Sequence, residues 1–149
     1  MKIFFLIMMG LGSLVYADFS RIDGVVLDNN QGLEWQDSYL DNNTVKFIGW
    51  EGAIEYCENL VLNDKSDWRL PNVKELSSLI DDSRHSPAIY PVFENTVFEP
   101  YIGYYWSSTT SYLDGEYSKW MVSFFYEGNR YVAFDRFRIC AVRCVRGGN

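Results

Sequence analysis

Three cysteines and one histidine are the residues of this 149-residue chain best equipped for covalent or metal chemistry: Cys57, Cys140, Cys144 and His85. A thiol or hydroxyl nucleophile needs a base within hydrogen-bond reach and a third group to orient that base. His85 stands in a stretch broken by Pro87, Pro91 and Pro100 and has no sequence-local partner. One histidine and one spare cysteine also make a poor zinc set, because zinc takes four N, S or O ligands. Oxygen donors are more plentiful, in Asp28-Asn29-Asn30, Asp41-Asn42-Asn43 and Asn63-Asp64. These suit calcium, although the same residues serve as turns and caps. The expectation is no catalytic residue, no assigned metal ligand and no cofactor, with calcium as the metal to test for.

The aromatic residues offer a different chemistry, that of recognition. Aromatics make up 17% of the chain, and Tyr101, Tyr104, Tyr105, Tyr112 and Tyr117 crowd one stretch together with Asp114 and Glu116. Flat rings with an apolar face and a polar edge, beside carboxylates, suit sugars or protein surfaces. Tyr105 and Trp106 are expected in the core. Tyr104, Tyr112, Asp114 and Tyr117 are the candidate ligand-binding residues, since binding side chains concentrate on loops held by a rigid scaffold.

These residues must be positioned by an exported single domain. Met1-Lys2, the apolar run Ile3 to Val15 and the small-residue spacing of Val15-Tyr16-Ala17 read as a signal peptide over residues 1–17. The run is shorter than the roughly 20 apolar residues that cross a bilayer, so no membrane insertion is expected after cleavage. Residues 18–149 are the size of one domain, destined for the periplasm or for full secretion. Setting Lys2 aside from the 13 basic residues leaves 12 against 20 acidic ones, a formal charge of −8. A surface of that sign disfavours nucleic acid and anionic membranes.

Val25-Val26-Leu27 and Leu33-Glu34-Trp35-Gln36 flank an Asx/Gly turn and predict a β-hairpin. Trp50, Ala53, Ile54, Cys57, Leu60 and Val61 recur at helical spacing, predicting a helix from Gly49 to Leu62. Asn72 and Glu75 form a capping-box pattern ahead of the apolar stripe Val73, Leu76, Leu79 and Ile80. Residues 82–103 read as a long irregular loop with a helical turn near Tyr90. Strands are predicted over Tyr104–Thr109, Lys119–Tyr126, Arg130–Phe134 and Arg138–Arg146, with Glu127-Gly128-Asn129 as a hairpin turn. The fold class is α+β, two short helices packed on an antiparallel sheet with a long irregular loop region.

If Arg138–Arg146 is one strand, Cys140 and Cys144 lie about 13 Å apart, beyond the roughly 7 Å that a disulfide spans. One of the two is then expected to pair with Cys57. Between the helices, Asp67-Trp68-Arg69-Leu70-Pro71 places Trp68 and Leu70 to plug the core and Arg69 to satisfy carbonyls with its five donors. Pro71 marks the boundary before Asn72.

The blocks "GLEWQ", "YCENL", "DWRLPNVKELSSLID", "YYWSST", "KWMVSF" and "VRCVRGG", in this order, closely resemble the Lcl C-terminal domain family. The likeness spans nearly all of residues 18–149. It implies a C-type-lectin-like fold, a fold shared with the formylglycine-generating oxidases. It also implies a disulfide from the first helix to the last strand, which selects Cys144 as the partner of Cys57. Trp68, Arg69, Pro71 and Trp106 are read from their own types and positions as structural residues, with a binding site at Asp67 to Pro71 as the alternative. The Glu-Pro-Asn and Trp-Asn-Asp signatures of calcium-dependent lectins are absent. The resulting expectation is an exported binding or adhesion module for a glycan or a surface protein, without catalysis. Its rivals are an oxidase-like enzyme, which needs a pair of reactive cysteines, and a purely structural envelope protein.

Overall fold

The computed structural model describes residues 18–112, 118–133 and 138–148. Residues 1–17, where a signal peptide is expected, and the candidate residues Asp114 and Tyr117 lie outside the described residues. Among those described, no helix is long and apolar enough to cross a membrane.

Among the described residues, two sheets and two short helices make a mixed α+β architecture. The first sheet has the order β1 (Phe19–Ile22), β2 (Val25–Asp28), β3 (Leu33–Gln36), β9 (Val145–Gly147), antiparallel throughout. The second has the order β4 (Phe47–Ile48), β8 (Cys140–Ala141), β5 (Tyr104–Ser111), β6 (Ser118–Ser123), β7 (Asn129–Ala133). Only β5 and β8 run parallel in it.

The β2–β3 hairpin forms where its Asx turn predicts. The Asp28 carboxylate accepts from the backbone N–H groups of Asn30 and Gln31 at 3.0 Å each, and Gly32 takes φ +66 to close the turn. The other two Asx clusters are also turns: Asn42, Asn43, Asn63 and Asp64 all have positive φ, a region that Asn and Asp tolerate better than most residues. The Asn43 side chain accepts from the Tyr39 N–H and the Asn63 amide donates to the distant Asp23 carbonyl, and among the described residues no three His, Cys, Asp or Glu gather to hold a metal.

Helix α1 (Trp50–Glu58) is shorter than its apolar periodicity predicts. Asn59 ends it, its side-chain amide reaching back to the Glu55 carbonyl at 2.9 Å. Leu60 then enters the core from non-helical backbone while Val61 faces solvent. Helix α2 (Val73–Ser77) begins with the expected capping box, Asn72 accepting from the Glu75 N–H at 2.9 Å and donating its own to the Glu75 carboxylate at 2.8 Å. Near Tyr90 a single turn closed by Phe93 N–H on the Tyr90 carbonyl replaces the expected helical turn.

The C-terminal segment departs most from expectation. Arg138–Arg146 is not one strand: β8 joins the second sheet, β9 joins the first, and Val142-Arg143-Cys144 crosses between them. Cys144 packs with Ala53, Trp68, Leu70, Trp106 and Met121 on the α1 side. Its neighbour Val145 packs with Trp35, Leu76, Leu79 and Tyr105 on the α2 side. This segment is therefore the partition between two cores. It is pinned by hydrogen bonds from Val142 N–H to the Lys46 carbonyl, from the Tyr39 hydroxyl to the Val142 carbonyl and from Cys144 N–H to the Gln36 side chain.

Candidate functional site

The two strongest sequence blocks meet each other. Arg69 exchanges both backbone hydrogen bonds with Val145, at 2.8 and 2.9 Å. Its guanidinium clasps both Glu75 oxygens at 2.8 and 2.7 Å and reaches the Gly147 carbonyl. Arg146 reciprocates from the other block, binding Asp67 bidentately and Glu34 at 2.7 Å. Trp68 and Leu70 are buried, and Pro71 lends its carbonyl to Ser108 N–H. Trp106 is buried with its indole N–H on the Ile48 carbonyl at 2.9 Å. Burial works to raise the Glu75 carboxyl pKa, but hydrogen bonds from Arg69 and the Asn72 backbone outweigh it and hold the carboxyl below the usual range. Asp67 is held low by its Arg146 hydrogen bond. Asp67, Arg69, Glu75 and Arg146 thus face one another and tie helix α2 to strand β9.

Sequence reasoning missed the central charge of this architecture, Arg143. Its side chain is fully buried, with Nη1 on the Asp37 carboxylate at 2.9 Å and the Gln36 carbonyl at 3.1 Å. Nη2 reaches the Asn95 carbonyl and the Thr96 hydroxyl, and the guanidinium lies 4.6 Å from the Phe93 ring centroid. Asp37 in turn accepts from Arg21 and from the backbone of Glu94 and Asn95. The long loop is ordered around this buried pair. Nothing local in "VRCVR" distinguishes Arg143 from Arg146, whose side chain is near the surface.

Cys57 and Cys144 form the disulfide, with Cα atoms 5.5 Å apart. Cys140 is a buried free thiol 3.9 Å from the Met121 sulfur. Burial pushes its pKa up to about 11, outweighing Arg138, which pulls the other way. A nucleophilic thiol is activated by the opposite shift.

The aromatic candidates are divided by strand β5. Tyr104 and Tyr112 stand eight positions apart, roughly 25 Å at strand spacing. Tyr112 is 89% exposed at the end that leads into residues 113–117. Tyr104 is half-buried at the other end, edge-on to Tyr131 with ring centroids 5.2 Å apart and beneath the Arg138 guanidinium at 4.6 Å.

Tyr131 leads to a cleft of about 500 Å³, lined among the described residues by His85, Phe125, Tyr126, Glu127, Asn129 and Tyr131 around Gly128. That volume is within the roughly 300–1,000 Å³ of small-ligand sites. The cleft is built by the loop after α2 closing on the β6–β7 turn. Ser86 and Tyr126 hold each other, Ser86 N–H on the Tyr126 carbonyl and Tyr126 N–H on the Ser86 hydroxyl, both at 3.1 Å. Tyr126 has φ +53, a left-handed conformation rare for a bulky side chain and costly unless its surroundings impose it. The ring it presents, packed 4.2 Å from Phe125, is 68% exposed. The sequence carried a signal for this site in "YEGNRY", where the turn Glu127-Gly128-Asn129 is bracketed by Tyr126 and Tyr131. His85 joins it only through tertiary structure.

On the far side of Gly128 and Asn129 lies a second, polar cleft of about 480 Å³, with Ser77, Ile80, Asp82 and Arg130. A third, apolar groove of about 330 Å³ runs along α1 between Leu40, Ile48, Tyr56 and Val61.

Comparison with known proteins places the Lcl C-terminal domain over residues 24–146. No curated protein and no solved structure matches.

Proposed function

The chain belongs to the Lcl C-terminal domain family, and from that premise we propose that it is an exported, non-catalytic binding module, C-type-lectin-like in fold, that takes a glycan or a surface protein at the β6–β7 cleft. The observation that carries this reading is Tyr126, a tyrosine held by Ser86 in a left-handed conformation so that its ring stands in solvent beside Tyr131, His85, Glu127 and Asn129. Two accessible rings supply apolar faces, and the imidazole, carboxylate and amide supply directed hydrogen bonds, the combination that amphipathic ligands such as sugars require.

The fold reading rests on the Cys57–Cys144 link from the first helix to the approach of the last strand, and on a long loop organised without regular structure. Tyr104 supports the site from behind Tyr131, and Tyr112 offers a separate contact at the other end of β5. An oxidase-like alternative asks for two reactive thiols, whereas Cys144 is in the disulfide and Cys140 is buried with a raised pKa. A structural envelope role predicts self-association and no small ligand. Glycan-array screening of residues 18–149, alongside the Tyr126→Ala and Tyr131→Ala variants, tests the proposal. Array hits that both variants lose support it. An array without hits, combined with a homo-oligomer in sedimentation, overturns it in favour of the structural role.

A further inference from the structure

We propose that the ligand is an uncharged polysaccharide bound along its length, crossing the β6–β7 tip so that sugars occupy the clefts on both sides of Gly128 and Asn129; this rests on the reading of the aromatic cleft as the binding site. The two clefts share those two residues as a common wall. Alternation along β7 sends Tyr131 to one face and Arg130 to the other, so the strand presents an aromatic cleft on one side and a polar one on the other, with Asn129 reached from both.

The wall they share includes Gly128, on which Ile80 packs so closely that a Cβ would come within 2.9 Å of it, and the φ of +72 there is one that glycine adopts without steric cost. Strand β7 is the last strand of its sheet among the described residues, so no described strand pairs with its outer edge. The polar cleft is held in shape by the Arg130 Nε hydrogen bond to the Ser77 hydroxyl at 2.7 Å.

The chemistry of each side selects different parts of a repeating sugar. Tyr126 and Tyr131 take the apolar face of a pyranose, and Ser77, Asp82, Asn129 and Arg130 take hydroxyls at the edge of the next units. The strongly acidic protein opposes an anionic repeat, and Asp82 and Arg130, side by side in the polar cleft, offer an acceptor and a donor that suit uncharged hydroxyls. Two weak subsites joined by one chain act at high effective concentration, so affinity rises with chain length until both are filled.

The experiment titrates residues 18–149 with β-1,4-linked glucose and β-1,4-linked N-acetylglucosamine oligosaccharides, monosaccharide to hexasaccharide, with oligogalacturonate as the anionic control. Affinity is expected to rise by about tenfold or more along one neutral series. Arg130→Ala and Asp82→Asn are expected to flatten that rise and leave the shortest binder unchanged, with thermal melts confirming that both are folded. Tyr126→Ala is expected to lose binding at every length. Length-independent binding by the parent, a rise that survives in both folded polar-cleft variants, or tighter binding of oligogalacturonate overturns the inference while leaving the aromatic cleft as the site. Failure of every neutral series to bind, or full affinity in Tyr126→Ala, overturns the inference and the cleft reading together.

Discussion

The seam between "DWRLP" and "VRCVRGG" and the tip of the β6–β7 hairpin are both rich in polar and aromatic groups, yet they are put to opposite uses. In the seam, Asp67, Arg69, Glu75 and Arg146 close on one another, and Arg143 is sealed with Asp37 between the cores. At the tip, Tyr126, Glu127 and Asn129 face outward across open clefts. Charged residues in a strong sequence block are therefore poor indicators of a site when the blocks are each other's partners. The tip is marked instead by an exposed aromatic held in a conformation that it would not adopt unaided.

The contrast breaks most visibly at Arg143. Arg143→Ala leaves the buried Asp37 with Arg21 as its remaining cation and strands the Asn95 and Gln36 carbonyls, and is expected to cost about 3–5 kcal/mol in denaturant unfolding. A change below about 1 kcal/mol would mean that the buried pair does not hold the long loop. Opening the Cys57–Cys144 bridge, which closes 87 residues of sequence, comes next. The Cys57→Ser, Cys144→Ser double variant should lose about 2–4 kcal/mol, while Cys140 becomes reactive to alkylating reagents only on unfolding.

At the tip the expected signs reverse. Tyr126→Ala with Tyr131→Ala should cost about 1–3 kcal/mol of affinity for a ligand found by array. The same pair should change stability by about 1 kcal/mol or less, because Tyr126 buries little and Tyr131 gives up one edge contact. A double variant that unfolds would move these rings from recognition to scaffold.

The smallest effect is at Arg69. Its clasp on Glu75 is partly exposed, so Arg69→Ala should cost about 1–2 kcal/mol and leave ligand affinity unchanged. Glu75 and Asp67 are both held below the ordinary carboxylate range. A depressed pKa contributes stability above the unfolded value and loses it as pH falls through the folded one. Stability should thus decline on acidification below about pH 4.3, the ordinary glutamate value, and Glu75→Gln should blunt that decline. Loss of binding in a stable Arg69→Ala protein would place the site in the seam.

Much of the scaffold was legible in the residues. The Asx turn at Asp28 to Gly32, the Asn72–Glu75 capping box and the burial of Trp68, Leu70, Tyr105 and Trp106 follow from patterns a few residues long. Strand β1, Phe-Ser-Arg-Ile, has apolar residues only at its two ends and so carries neither alternation nor an apolar run, and α1 ran short because its apolar periodicity continued past the amide cap at Asn59.

What the sequence determined alone was whatever is closed by local hydrogen bonds and period: turns, caps, helix faces and the α+β class. Tertiary structure decided the rest. It split Arg138–Arg146 between two sheets, because consecutive side chains had to enter different cores. It buried Arg143 but left Arg146 near the surface, because only the former met a sealed carboxylate. It also brought His85 to Tyr126 across about 40 positions of chain through the Ser86 hydrogen bonds. Each of these depends on partners distant in sequence, whose positions are set by packing and not by the identity of any neighbour along the chain.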